Sequence, residues 1–158
     1  MKSIEQWFSE YGESHKNETN KLIHWICVPL IFFSVLAILY SIKLPWYIQG
    51  YQLNVGVILA LLVLIYYASL SVSLSIGMLL FISICIGVCY GIERANILPL
   101  WQIALIIFIL AWIGQFYGHK IEGAKPSFFK DLQFLMIGPA WLLGFVYKRL
   151  GIPIGNRQ

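Results

Sequence analysis

Apolar residues fill most of the chain in long, unbroken segments, and polar residues are confined to the stretches between them. No Asp, Glu, Lys or Arg occurs from residue 44 to residue 92, and a second uncharged run extends from 95 to 119. About 20 apolar residues in helical conformation cross the hydrocarbon core of a bilayer. Runs of this length therefore predict an integral membrane protein built from helices.

Four apolar segments have the length of membrane-spanning helices. They are predicted at about 26–42, 53–70, 72–92 and 100–117. A fifth apolar segment, 132–147, is shorter and contains Gly138-Pro139. Because proline interrupts helical hydrogen bonding, this segment is predicted as a broken helix that is re-entrant or interfacial. The predicted fold class is an all-α integral membrane protein with four transmembrane helices.

The N-terminal segment is predicted to form an amphipathic helix on the membrane surface. Ser3 is a suitable N-cap, and Gly12 is expected to end or bend the helix. Asn17 or Thr19 is the candidate cap of the first span. The apolar face has residues at helical spacing, namely Ile4, Trp7, Phe8 and Tyr11. This polar segment lacks the apolar core of a cleaved signal peptide, and 43–52 is predicted to be an aromatic interfacial loop.

Composition narrows the class of protein further. Of the 158 residues, 59% are apolar and 11% are charged, which excludes an ordinary soluble enzyme. We predict one membrane domain, 1–158, comprising an interfacial segment 1–25, the spans 26–117, and a loop, broken helix and tail at 118–158. The net charge of +4 does not indicate nucleic-acid binding, because the basic residues do not alternate with aromatics on one polar element. Three cysteines within apolar segments are predicted to be small buried hydrophobes: Cys27, Cys85 and Cys89.

The distribution of basic residues predicts the orientation. If the four spans cross and the last segment does not, only Lys43 and Arg94 of the 11 basic residues face the non-cytoplasmic side. Both termini are then cytoplasmic, in a bacterial inner membrane or, in a eukaryote, the endoplasmic reticulum. Lys120, Lys125 and Lys130 are interpreted as topology determinants, with binding of a substrate carboxylate as the alternative.

The same topology brings all three histidines, His15, His24 and His119, to the cytoplasmic interface. Neutral imidazole is the commonest transition-metal ligand, so the three are a candidate metal site. The alternative is that they are surface or packing residues.

Polar residues at helical spacing accompany these histidines. Asn20 precedes His24 by four residues, and Gln115, His119 and Glu122 lie on one side of a continuing helix. Glu122 is a candidate fourth ligand or an acceptor that orients His119. An uncharged membrane interior argues against a proton-coupled transporter.

Two stretches resemble the signatures of a known family of small membrane proteins. Residues 11–29 match the pattern H-x4-N-x3-H-x4-P, and residues 112–133 match Q-F-x-G-H-x-x-E followed by a proline. The chain is identified as a member of the family of the yeast protein for metabolism of phytosphingosine to odd-numbered fatty acids. It resembles the bacterial branch of that family.

The resemblance implies an Fe(II)-dependent dioxygenase that uses O2 to cleave 2-hydroxy fatty acids between C1 and C2. The product would be a fatty acid one carbon shorter. Carried over by position, His15, His24 and His119 are the expected iron ligands. Asn20, Gln115 and Glu122 match the accompanying polar positions and are the expected catalytic residues. Lys120 or Lys125 is expected to neutralise the substrate carboxylate. The acyl tail is expected to lie between the spans, in contact with membrane lipid.

The sequence is also compatible with two other functions. One is a non-catalytic protein that organises lipid or assists assembly, in which the histidines only pack. The other is a zinc-dependent lipid hydrolase that uses the same histidines.

Overall fold

The computed structural model describes residues 3–13, 15–123 and 128–154. These residues are mostly helical, as predicted. The helices are α1 (Ile4–Glu13), α2 (Glu18–Tyr40), α3 (Val55–Leu70), α4 (Val72–Ala95), α5 (Leu100–Glu122) and α6 (Phe128–Leu150). A two-stranded antiparallel sheet, β1 (Lys43–Ile48) and β2 (Tyr51–Asn54), lies between α2 and α3.

Three of the helices, α2, α4 and α5, are long and apolar enough to cross a membrane. This finding supports the expectation of a membrane protein. The fourth segment predicted to span, α3, is also apolar but has only 16 residues, a length of about 24 Å at 1.5 Å per residue. The first span begins at Glu18 rather than at residue 26, because the Asn17 side chain accepts hydrogen bonds from the N–H groups of Thr19 and Asn20 and caps the helix there.

The connection between α2 and α3 differs from the prediction of an all-α fold with a loop at 43–52. Instead of an irregular loop at 43–52, the chain forms the β1–β2 hairpin, in which Ile48 pairs with Tyr51. The two turn residues, Gln49 and Gly50, both have positive φ, 49° and 82°. Positive φ at both central positions defines the turn whose twist matches two-stranded hairpins. Asn54 then caps α3 by accepting a hydrogen bond from Val57 N.

The predicted break at Gly138-Pro139 is also wrong, because α6 is one continuous helix with Pro139 inside it. Proline removes only one helical hydrogen bond, and the packing around it is tight. The Tyr67 hydroxyl donates to the carbonyl of Met136. A Cβ atom at position 138 would lie 2.8 Å from Val28 Cγ1, so Gly138 allows α6 to approach α2. Tertiary contacts therefore hold the helix together through the proline.

Helices α1 and α6 lie together against one end of the apolar helices. At this end, the Tyr147 hydroxyl donates to the Ser73 carbonyl over 2.8 Å, and the Ser71 hydroxyl donates to the Ile154 carbonyl. The predicted amphipathic helix α1 is present, but Ile4 and Tyr11 are buried in protein. Its apolar face therefore packs against the protein instead of lying only on lipid.

The core of the protein is centred on α2, which contacts α3, α4, α5 and α6. All three cysteines are buried and free, which agrees with their predicted role as small hydrophobes. At the β-hairpin end, Gly56 of α3 packs directly on the backbone of α2. A Cβ atom at this position would lie 2.6 Å from Tyr40 N, so only glycine permits this approach.

Replacing Gly56 by alanine is therefore expected to destabilise the protein. Separating two packed backbones costs about 1–3 kcal/mol, which corresponds to a melting temperature lower by roughly 5 °C in a chain of this size. Gly87→Ala is the matched control, because a Cβ atom there meets nothing within 4 Å and alanine favours helix by about 1 kcal/mol. Thermal unfolding in detergent measures both, and equal melting temperatures would contradict the close contact.

Candidate metal centre

The structure brings the three histidines together at the end of the bundle where α1 and α6 lie. His15 is in the connection between α1 and α2, His24 is in the second turn of α2, and His119 is near the end of α5. All three are buried, and one ring nitrogen from each lies within 4.8 Å of the others. The ring centroids of His15 and His24 are 4.2 Å apart, and those of His24 and His119 are 5.1 Å apart.

Backbone hydrogen bonds orient two of the imidazoles. Nδ1 of His15 donates to the Tyr11 carbonyl over 2.6 Å, and Nδ1 of His24 donates to the Asn20 carbonyl over 2.9 Å. Because a carbonyl only accepts, the proton in each ring is on Nδ1, and Nε2 carries a lone pair. This is the arrangement by which proteins orient histidine ligands for a metal ion.

His15 is held in a largely apolar environment. Burial lowers the pKa of His15 below its usual range, so its ring is neutral at pH 7 and suited to metal ligation. The Tyr11 ring stacks on the His15 ring with centroids 4.2 Å apart and planes 10° from parallel. The Trp141 ring from α6 is 5.5 Å away. The aromatic rings of α1 and α6 therefore shield His15 from water.

Gln115 lies between the histidines and the apolar interior. Its Nε2 donates to His24 Nε2 over 2.8 Å, and its Oε1 is buried with no hydrogen-bond partner among the described residues. A cavity of about 20 Å³ lies beside it, which is room for one small molecule such as water. It is lined by Tyr11, His15, Val28, Ile31, Trp112, Gln115, His119, Phe134 and Leu135.

Glu122, at the end of α5, binds the beginning of α2. Its carboxylate accepts hydrogen bonds from the backbone N–H groups of Lys16 and Asn17, at 2.8 and 2.9 Å, and from Asn20 Nδ2 at 3.0 Å. A carboxylate at a helix N-terminus also interacts favourably with the helix dipole. Glu122 is not in the cluster of mutually close ligand atoms. Its observed contacts hold the segment that carries His15.

The other predicted site residues differ in their burial and in their contacts. Asn20 is fully buried beside the cluster and connects Glu122 to His24. Lys120 is exposed, since it follows the buried His119 by one residue, about 100° around the helix. Lys125 lies outside the described residues.

Two residues at the site were not predicted from the sequence. Tyr11 lies in the stretch that contains the first motif and precedes His15 by four residues, which is a spacing that allows contact on a helix. Trp141 had no detectable signal, because α6 packs on α1 only in the folded structure.

Comparison with known proteins identifies the family. The model of the family described as "2-hydroxy-palmitic acid dioxygenase Mpo1-like" matches residues 1–150. The chain belongs to this Mpo1-like family. It is 29% identical over 144 residues to the 2-hydroxy-palmitic acid dioxygenase MPO1 of Saccharomyces cerevisiae, which covers 87% of this chain and 76% of the yeast protein. No solved structure matches the chain.

Membership of the Mpo1-like family confirms the resemblance carried by the two sequence motifs. The three buried histidines lie close together, which is compatible with a metal site.

Loss of any one histidine is expected to remove the metal. We expect roughly one transition-metal ion per chain in the parent protein, and little in His15→Ala, His24→Ala or His119→Ala, because two imidazoles alone bind weakly. Elemental analysis after anaerobic purification in mild detergent measures this, with Cys89→Ala as a buried control. Full metal content in the His24→Ala and His119→Ala proteins would show that the cluster is not the ligand set.

Glu122→Gln is expected to weaken metal binding without abolishing it. Such supporting groups typically contribute about 10–100-fold in affinity. Glu93→Gln is the matched control, because Glu93 pairs with Lys43 at 2.8 Å, at the other end of the helices. Competition with a chelator compares the two variants, and equal affinities would contradict the positioning role of Glu122.

Proposed function

We propose that this protein is an Fe(II)-dependent dioxygenase that cleaves 2-hydroxy fatty acids between C1 and C2, giving a fatty acid one carbon shorter. The observation that carries the proposal is the cluster of three buried histidines in a chain of the Mpo1-like family. If O2 is the only oxidant, the products are the shortened fatty acid, carbon dioxide from C1, and one water molecule, and the atoms balance. The reaction then needs no separate reductant.

The chemistry of the ligand set supports this proposal. His15, His24 and His119 would hold the metal through three neutral nitrogens, so the site would keep a net positive charge. At His24 the metal would replace the hydrogen bond that Nε2 accepts from Gln115, which frees the Gln115 amide. Iron(II) bound there would supply the activation of O2 and positions for a hydroxyl and a carboxylate oxygen of the substrate. An anionic 2-hydroxy acid is favoured over a neutral lipid at such a site.

The polar residues divide into two proposed roles. Gln115 faces the cavity beside the histidines, and we assign it to contact the substrate or O2 through its amide. Asn20 and Glu122 are positioning residues, because their hydrogen bonds act on His24 and on the segment that carries His15. The aromatic rings around His15 exclude water, which strengthens electrostatic interactions within the site.

The lysines are proposed to act at longer range. Lys120 is exposed, next to the buried His119. Its ammonium would attract the carboxylate as the fatty acid approaches the membrane surface. The same electrostatic role is proposed for Lys125.

The reaction is tested directly with 2-hydroxypalmitic acid. The iron-loaded protein is expected to consume O2 and to form pentadecanoic acid, identified by mass spectrometry, whereas palmitic acid, which lacks the hydroxyl, should not react. Absence of the shorter acid with iron present would contradict the substrate assignment. Stoichiometric zinc together with lipid hydrolysis would instead favour a hydrolase. A purified protein without bound metal would favour a non-catalytic role.

We also propose a single domain with four spans, α2 to α5, and both termini on the cytoplasmic side. The contacts of α6 support this topology. Two residues of α6 accept from or donate to the turns that flank the α3–α4 connection: Met136 contacts Tyr67, and Tyr147 contacts Ser73. Ile154, four residues after the end of α6, contacts Ser71 in the connection itself. Because both halves of α6 meet one end of the bundle, α6 is assigned to the interface. The exposed aromatic residues of the hairpin suit the opposite interface.

Cysteine accessibility on either side of α3 tests the four-span topology. A membrane-impermeant maleimide should label Tyr51→Cys in intact spheroplasts but not Ser69→Cys, since both positions are exposed and α3 separates them. Permeabilised spheroplasts are the control in which both should react. Equal labelling of both positions in intact spheroplasts would exclude a crossing by α3.

A further inference from the structure

A second cavity opens in the apolar part of the protein, between α2, α3 and the beginning of α6. Its volume is about 230 Å³, and its lining includes Val35, Leu39, Leu59, Ala60 and Leu135. All lining side chains are apolar. An apolar cavity of roughly 150 Å³ binds benzene, so this one accepts a longer stretch of hydrocarbon.

This cavity lies next to the small cavity beside the histidines, along α2. Leu135 lines both cavities. Val28 and Ile31 line the small cavity beside the histidines, and Val35 and Leu39 line the large one. These four positions follow one side of α2, because they are spaced by three or four residues. The two cavities therefore follow one another along α2, starting beside the histidines, and together define a candidate path.

The length of this path fits one acyl chain. From Val28 to Leu39 the helix rises about 16 Å at 1.5 Å per residue. Each leaflet of a bilayer has a hydrocarbon thickness of about 15 Å, half that of the whole core. The path therefore matches the extension of a membrane fatty acid whose carboxyl end is at the histidines.

Two other cavities are less suitable. One, of about 160 Å³, lies between α2, α4 and α6 and is lined by Trp25, Met78 and Pro139 among others. The other, of about 320 Å³, lies between α1 and α6 near Lys148. Neither shares a lining residue with the cavity beside the histidines.

We propose that the cavity between α2 and α3 binds the acyl chain of the 2-hydroxy fatty acid, and that Val35 and Leu39 set the preferred chain length. This inference rests on the proposed function, because it takes the head group to be at the histidines. Leu135 is the point at which the chain passes from the metal centre into the cavity. Each further methylene beyond Val35 gains apolar contact until the path ends near Leu39.

The location of the chain is tested by photolabelling. The probe is 2-hydroxypalmitic acid carrying a diazirine near its methyl end, added anaerobically to the iron-loaded full chain in lipid nanodiscs. Labelled peptides are mapped by mass spectrometry, with and without excess 2-hydroxypalmitic acid. Competed label is expected on the parts of α2 and α3 that contain Val35, Leu39 and Leu59. Competed label at either of the other cavities, or no competed label, would overturn the proposal.

A turnover assay run in parallel separates this inference from the proposed function. Competed label in the cavity without oxidation of the fatty acid would contradict the reaction but support the acyl site. Oxidation with competed label elsewhere would contradict the acyl site but support the reaction.

A pair of valine variants tests chain-length selection. Val35→Phe should block the part of the cavity that only the longer chain reaches. The affinity for 2-hydroxypalmitic acid, relative to that for 2-hydroxydecanoic acid, should therefore fall about tenfold, which corresponds to the loss of two buried methylene groups. Val88→Phe is the matched control, because Val88 is exposed on α4 and should leave this ratio unchanged. Metal content verifies that both variants retain the histidine site. An unchanged ratio in Val35→Phe, or the same change in both variants, would overturn the assignment of Val35.

Discussion

The close packing of α2 against α5 is the contact on which the histidine cluster depends. Two glycines of α5 permit it: a Cβ atom at Gly114 would lie 2.7 Å from Cys27 Sγ, and one at Gly118 would collide with Asn20 Oδ1. This approach places His24 and His119 side by side. In an apolar environment, small residues allow two helix backbones to come together. The arrangement of the histidines therefore depends on these two glycines.

The polar groups around the histidines form a connected system, which is necessary because unpaired buried polar groups are costly. Glu122 binds the N-terminus of α2, Asn20 joins Glu122 to the backbone that orients His24, and Gln115 contacts His24 from within the bundle. The residues assigned to positioning thus also stabilise the junction of α2 and α5. Structure and chemistry are coupled here, and changes at Asn20 are expected to affect both.

The apolar part of the protein has a complementary role. The path from the histidines along α2 contains only apolar lining beyond the metal centre, whereas hydrogen-bonding groups are concentrated around the histidines. A fatty acid that adopts this arrangement keeps its polar head near the interface and its chain in hydrocarbon surroundings. Helix α6 contributes Leu135 to the lining of both cavities.

The sequence by itself determined the helical membrane character, the candidate ligands and the family, because these depend on apolar runs, residue types and local motifs. The four apolar segments and Asn17, as one of two candidate caps of the first span, were also evident from the sequence, since such signals act within a few residues. Only the tertiary structure decided that Glu122 binds the start of α2, that Trp141 approaches His15, that 43–54 pairs as a hairpin, and that α6 is unbroken. Each of these depends on contacts between distant segments, whose energy outweighs local preference.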